Sequence, residues 1–178
     1  AMSGNPWNVP RGLPGSHSIK LIEETIENWM ETGYLNAPRF NKALRNGLGD
    51  RYGWQMSKPK ILVIEGWFLG CRNREVLPIS DSRYTTLSPL LSQDEKDYML
   101  VVNNALKRYV PIWDRLDSIW KLQPNHFKFC FDWKRAQEIN MIKQKGSGLK
   151  GKSLDSFVRM IDVSIPHDSL MNIPADVI

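Results

Sequence analysis

KILVIEGWFLG, residues 60–70, decides how the rest of this 178-residue chain is read. Ile61, Leu62, Val63 and Ile64 form an unbroken apolar run, the pattern of a strand covered on both faces in a parallel sheet. The run ends at Glu65-Gly66. A carboxylate at the carboxyl end of such a strand stands where open α/β sheets bind their ligands. Position alone leaves two readings of Glu65: an acid that manages a magnesium ion in a nucleotide kinase, or a side chain that pairs with a neighbouring loop.

Upstream, residues 1–18 are rich in Gly, Pro, Ser and Asn and read as an irregular leading segment, with Ala1 before Met2 as a cloning remnant. Ile19, Ile22, Ile26, Trp29 and Met30 recur at helical spacing, and Gly33 stands where a left-handed cap would end that helix. LNAPRFNKALRNGLGDRYGW, residues 35–54, reads as a short extended piece followed by a glycine-broken basic loop. Downstream, residues 72–91 form a long Pro/Ser/Thr-rich loop. Ser92 with Glu95 three residues on predicts a capping box, opening a helix whose face holds Tyr98, Val101, Val102, Ala105 and Tyr109 until Pro111 bends or restarts it. DSIWKLQP, residues 117–124, is a candidate second strand, and HFKFCFDWKRAQEINMIKQK, residues 126–145, a third helix. Residues 164–178 read as a tail.

These pieces predict one α/β domain: an incomplete three-layer core with a parallel sheet flanked by helices, residues 61–65 at its centre and a second strand near Trp120. A chain this long, 42% hydrophobic, can bury one sizeable core. The net charge of +5 suits polyphosphate ligands, nucleic acid or plain solubility, but no nucleic-acid recognition signature accompanies it. No apolar run is long enough to span a bilayer and the start is unlike a signal peptide, so the expected address is cytoplasmic. Cys71 and Cys130 lack metal or disulfide spacing and read as reduced thiols, Cys130 in the core; the three histidines show no metal-ligand spacing. Trp29, Trp113, Trp120 and Trp133 read as core filler rather than stacking platforms.

GSGLKGKS, residues 146–153, spells G-x-x-x-x-G-K-[ST] letter for letter. A phosphate-cradling loop must leave a buried strand and open a helix. Here AQEINMIKQK, a polar and basic helix end, precedes it, so the expectation is a flexible basic loop joining two helices, with Ser153 capping LDSFVRMI. Its lysines, Lys152 among them, would meet phosphate only as mobile charges.

RGLPGSH (11–17), PRFNKALRNGLGDR (38–51), ILVIEGWFLG (61–70) and VVNNALKRYVPIWDRLDSIWKL with FDWKRAQE (101–138), in this order, resemble the D-glycerate 3-kinase family in its plant and cyanobacterial form. That family belongs to the P-loop kinases related to uridine kinase and phosphoribulokinase. The resemblance implies phosphoryl transfer from ATP, with Mg2+, to the 3-hydroxyl of D-glycerate, the last step of photorespiratory salvage. It implies that Glu65 is the catalytic, metal-managing acid. Arg11, His17, Arg39, Lys42, Asp50 and Arg51 would border the acceptor. Lys134 and Arg135, beside Gln137 and Glu138, would form a lid bringing positive charge to the transferring phosphate. Apart from the resemblance, Lys152 of the GSGLKGKS loop is a further candidate nucleotide contact.

The departures are specific. Family members carry a glycine-rich P-loop upstream of the RGLPGSH stretch, which makes this chain resemble the C-terminal part of such a kinase. Asn41 and Ser18 each stand where the family usually has aspartate, and Lys134 replaces the usual arginine, which alone can grip phosphate with two parallel hydrogen bonds. Two expectations follow. One is a kinase of this type, inactive alone, cut from a longer protein or completed by another polypeptide. The other is a non-catalytic binding module that self-associates through an exposed sheet edge.

Overall fold

The computed structural model describes residues 4–42, 44, 45, 48–79, 82–146 and 148–177; Ala1 and Met2, and Ser147 of the glycine-rich loop, lie outside the described residues. The first helix, α1 (Ile19–Thr32), buries Ile19 and Ile26 and ends where Gly33, at φ 75°, turns its N–H back to the Trp29 carbonyl at 2.8 Å. The Trp29 indole donates to the Pro59 carbonyl at 3.0 Å, tying the helix to the start of the decisive stretch. Met30 lies off that face, 66% exposed.

Residues 35–57 form an antiparallel hairpin, β1 (Leu35–Asn41) with β2 (Asp50–Ser57), in which Leu35 faces Ser57 and Asn41 faces Asp50. The basic loop expected after the extended piece is thus partly a second strand. Its period-2 alternation, Tyr52, Trp54 and Met56 between Arg51, Gly53 and Gln55, is the missed signal. Gly49 is obligatory at the turn: its φ is 80° and a Cβ there would stand 2.4 Å from the Phe40 ring.

The parallel sheet centred on residues 61–65 is not what the structure shows. Those residues pair in neither sheet, the hairpin nor the short parallel contact of β3 (Trp120–Lys121) with β4 (Asp176–Val177). Their burial alternates instead: Leu62 and Ile64 pack against the core while Ile61 and Val63 are 77% and 82% exposed. A strand exists only when a neighbour takes up its N–H and C=O groups, and the apolar run carries no information about whether that neighbour is present. The second strand expected within 117–124 forms for two residues, against β4.

The core is helical. A four-residue helix, α2 (Ser82–Thr85), interrupts the long loop, and α3 (Gln93–Leu106) opens with the complete Ser92/Glu95 capping box and buries Met99, Val102 and Leu106. Val101 faces outward. A 3-10 turn at Lys107–Tyr109 leads into α4 (Val110–Trp113), with Pro111 in its first turn, where a missing N–H does no harm. After β3 come α5 (Lys128–Lys145), α6 (Lys152–Val163) and α7 (His167–Met171).

Trp7, Val9 and Leu13 from the irregular leading segment join Phe68, Cys71, Tyr109, Trp113, Met160 and Val163 in one cluster. Ile165, Leu170 and Ile173, in the segment read as a tail, belong to it as well. The buried thiol is Cys71 rather than Cys130, which is half-buried. Of the four tryptophans read as filler, Trp113 is buried, whereas Trp120 and Trp133 are 72% and 59% exposed. Among the described residues no helix is long and apolar enough to cross a membrane.

Candidate functional site

The RGLPGSH loop is held from three directions. Gly12 and Gly15 adopt φ of 97° and 93°, and Ser16 Oγ closes the turn by donating to the Leu13 carbonyl at 2.7 Å and accepting from the Gly12 N–H at 3.2 Å. From the decisive stretch, the Trp67 indole donates to the Gly12 carbonyl at 2.7 Å. From the 3-10 turn, the Tyr109 hydroxyl accepts the Gly15 N–H at 2.8 Å and stands 3.0 Å from His17 Nδ1. Phe68 fills the space between them, edge-on to Tyr109 with ring centroids 5.2 Å apart and 5.9 Å from the His17 ring. His17 is exposed as a residue, and partial burial of its ring lowers its pKa.

The hairpin tip lies against the same loop, where Arg11 Nη1 donates to the Leu48 carbonyl at 3.2 Å. Asp50 serves this tip: Oδ2 pairs with Arg45 Nε at 2.7 Å and Oδ1 accepts the Arg51 N–H at 2.8 Å. The ion pair that shapes this tip is Arg45–Asp50. Arg39 lies over the Tyr52 ring at 4.9 Å, and Arg51 is exposed.

A third wall comes from α5. Lys134 Nζ contacts Glu138 Oε1 at 2.5 Å and Gln137 Oε1 at 3.2 Å, and sits 4.8 Å over the Phe157 ring. The same ring lies 3.8 Å from the position a Cβ on Gly12 would take, so α5, α6 and the RGLPGSH loop meet there. Glu138 is 2% exposed. Burial pushes its pKa up, but the Lys134 hydrogen bond, the Leu149 N–H and the charges of Lys134 and Lys42 outweigh that and leave it lowered. Arg135 pairs with Asp155 at 3.4 Å.

GSGLKGKS links two helices, as its context predicts: Gly146 caps α5 at φ 68° and Gly151 precedes α6. It is pinned rather than loose. Glu138 Oε2 accepts the Leu149 N–H at 2.8 Å, and a Cβ on Gly148 would stand 2.9 Å from Ile142. An N–H occupied by a buried carboxylate is unavailable to a phosphate, so the loop lacks at least that donor for a triphosphate cradle. Ser153 does not cap α6 from outside; its Oγ donates to the Lys150 carbonyl at 2.8 Å, and Lys152 is exposed.

Glu65 stands exposed at the turn that leads into Trp67. Among the described residues no group of three or more His, Cys, Asp or Glu could hold a metal ion. A lone carboxylate suits magnesium, which takes one or two carboxylates and completes its shell with water and substrate phosphates.

The chain is 29% identical over 167 residues to a chloroplastic D-glycerate 3-kinase of Arabidopsis thaliana, covering 87% of this chain and 33% of the plant protein. It is 26% identical over 166 residues to a probable ATP-dependent kinase of Saccharomyces cerevisiae, covering 83% of this chain and 52% of that one. The chain is related to the D-glycerate 3-kinase family. The fold agrees with that of a D-glycerate 3-kinase structure from Cryptococcus neoformans, with a TM-score of 0.74 and 22% identity, over 95% of this chain and 63% of that one. No protein-family model matches the chain. It spans between 33% and 57% of the length of the curated relatives it matches.

Within this kinase relationship, Trp67 and Tyr109 are the residues that sequence reasoning missed. Trp67 carries no role in the sequence reading and Tyr109 reads only as part of a helix face, yet both use a polar tip to fix the RGLPGSH loop.

Proposed function

We propose that the chain forms the acceptor side of an ATP-dependent small-molecule kinase of the D-glycerate 3-kinase type, delivering a phosphoryl group to a hydroxyl of D-glycerate. The observation that carries this reading is the meeting of RGLPGSH, the hairpin tip and α5 around Gly12, Leu48 and Lys134. Glycerate is a carboxylate, and the transition state of phosphoryl transfer spreads negative charge over equatorial oxygens. Converging cations on fixed backbone answer both demands.

In this reading Arg11, Arg39, Lys42 and Arg51 gather the acceptor, while Asp50 holds the tip that presents them. Lys134, steadied by Glu138 and Phe157, faces the transferring group, and Arg135 joins it on leaving Asp155. Glu65 would hold Mg2+, which supplies charge neutralisation at the phosphates when ATP is bound. The glycine-rich loop at 146–153 stays outside the chemistry, because its Leu149 N–H is already taken. The nucleotide's own cradle comes from further sequence, in the same or a second polypeptide. A strand from that sequence would pair with residues 60–65 and turn them into the centre of a parallel sheet.

The exposure of Ile61 and Val63 also favours a second reading, a non-catalytic module that binds a partner along this edge. The test is D-glycerate-dependent ADP release by the natural gene product that contains these residues. Turnover that rises with D-glycerate and falls by about 10²-fold or more in Glu65→Gln supports the kinase. No turnover, with intact folding, favours the module.

A further inference from the structure

The Tyr109 hydroxyl sits where three groups converge and is itself buried, 2% of the residue being exposed. Its oxygen accepts the Gly15 N–H at 2.8 Å. A phenol also carries one hydrogen, which in a buried site needs an acceptor. His17 Nδ1, 3.0 Å away, is in reach to take it. The reverse arrangement, with Nδ1–H donating to the phenol, would strand the phenol hydrogen in a buried site. Which imidazole nitrogen carries the proton is set by the hydrogen bond the other one makes. Here Nδ1 accepts, so Nε2 carries the proton. His17 is exposed as a residue, and its Nε2 makes no hydrogen bond among the described residues.

We propose that His17 serves the acceptor site as a hydrogen-bond donor through Nε2–H, toward a carboxylate oxygen of the hydroxy acid, and that Tyr109 is the positioning residue that fixes this tautomer. The proposal rests on the acceptor-site reading above and adds to it which atom of His17 faces the substrate and what holds it. Partial burial of the ring, against Phe68 and Tyr109, lowers its pKa and so favours the neutral form. A ring fixed this way has no free lone pair for the acceptor hydroxyl. It selects an oxygen acceptor instead of taking a proton.

The test is nitrogen-15 NMR of the imidazole in the 178-residue chain at neutral pH, alone and titrated with D-glycerate, with calorimetry of the same titration. The expected result is a His17 ring protonated at Nε2, a D-glycerate-dependent shift at Nε2, and in Tyr109→Phe a mixture of tautomers with D-glycerate affinity reduced several-fold. A ring protonated at Nδ1, or at both nitrogens, overturns the proposal, and the wild-type spectrum decides this even if the variant fails to fold. D-glycerate that binds by calorimetry without moving Nε2 overturns the proposal alone. An Nε2-protonated ring with no D-glycerate binding at all overturns the acceptor reading, and the recognition role of His17 falls with it.

Discussion

The Trp67 indole N–H and the Gly12 carbonyl, 55 residues apart in sequence, meet at 2.7 Å and join the two most distinctive stretches of the chain. Trp67→Phe keeps the ring's packing and removes the donor, leaving a half-buried carbonyl unsatisfied. The expected cost is about 1–3 kcal/mol of stability. Chemical denaturation measures it, and an unchanged midpoint would show that the tie contributes nothing.

Glu95 and Glu138 make the fold acid-sensitive. Glu95 accepts from Trp7 at 2.9 Å, from Arg159 at 2.8 and 2.9 Å, and from the Ser92 N–H of the capping box at 3.0 Å. Burial raises its pKa, and these donors outweigh burial, as they do for Glu138. A carboxylate held below its unfolded pKa adds stability that is fully present above the unfolded value and disappears as pH falls through the folded one. Stability should therefore be flat near neutrality and drop below the ordinary carboxylate range. Glu95→Gln and Glu138→Gln should each flatten that drop. Glu95→Ala, which leaves Arg159 without its partner, should cost about 3 kcal/mol at neutral pH. Thermal unfolding as a function of pH reads both effects.

Ile61→Lys and Val63→Lys separate the structure from the apolar pattern. On a strand buried on both faces each would be ruinous. On the exposed edges seen here each should change the stability of the 178-residue chain by no more than about 0.5 kcal/mol, by urea titration. In the natural gene product the same substitutions should block kinase activity, if residues 60–65 pair with a further strand.

The two thiols should differ in reactivity. Burial, with Asp168 adding to it and Arg74 opposing, pushes Cys71 up to about 12. Since the thiolate is the nucleophile, Cys71 should resist a maleimide at neutral pH until the chain unfolds. Half-buried Cys130 should label first, which peptide mapping by mass spectrometry would show.

Local signals carried far in this sequence. The Ser92/Glu95 capping box and the Gly33 cap are interactions within one turn, so residue types at fixed offsets disclose them. The helical context of GSGLKGKS was legible for the same reason. Residues 61–65 were misread because pairing depends on a neighbour that the apolar run does not encode. Trp7 and Leu13, deep in the core, come from a segment with no periodicity to reveal them. Lys134 and Arg11 could be named from motif resemblance alone. The placing of Lys134 over Phe157, beside Gly12, depends on tertiary packing that no spacing expresses, and so does the use of Glu138 to occupy the Leu149 N–H.

The central proposal is that this chain supplies an acceptor site and that its loop at 146–153 binds no phosphate. Calorimetric titration of the 178-residue chain with D-glycerate and, separately, with magnesium-ATP tests it most directly, with Lys152→Ala as control. The account expects saturable D-glycerate binding that Arg11→Ala weakens, and no magnesium-ATP binding in either protein. Saturable magnesium-ATP binding that Lys152→Ala abolishes would contradict it, making GSGLKGKS a working phosphate site despite the carboxylate against its backbone.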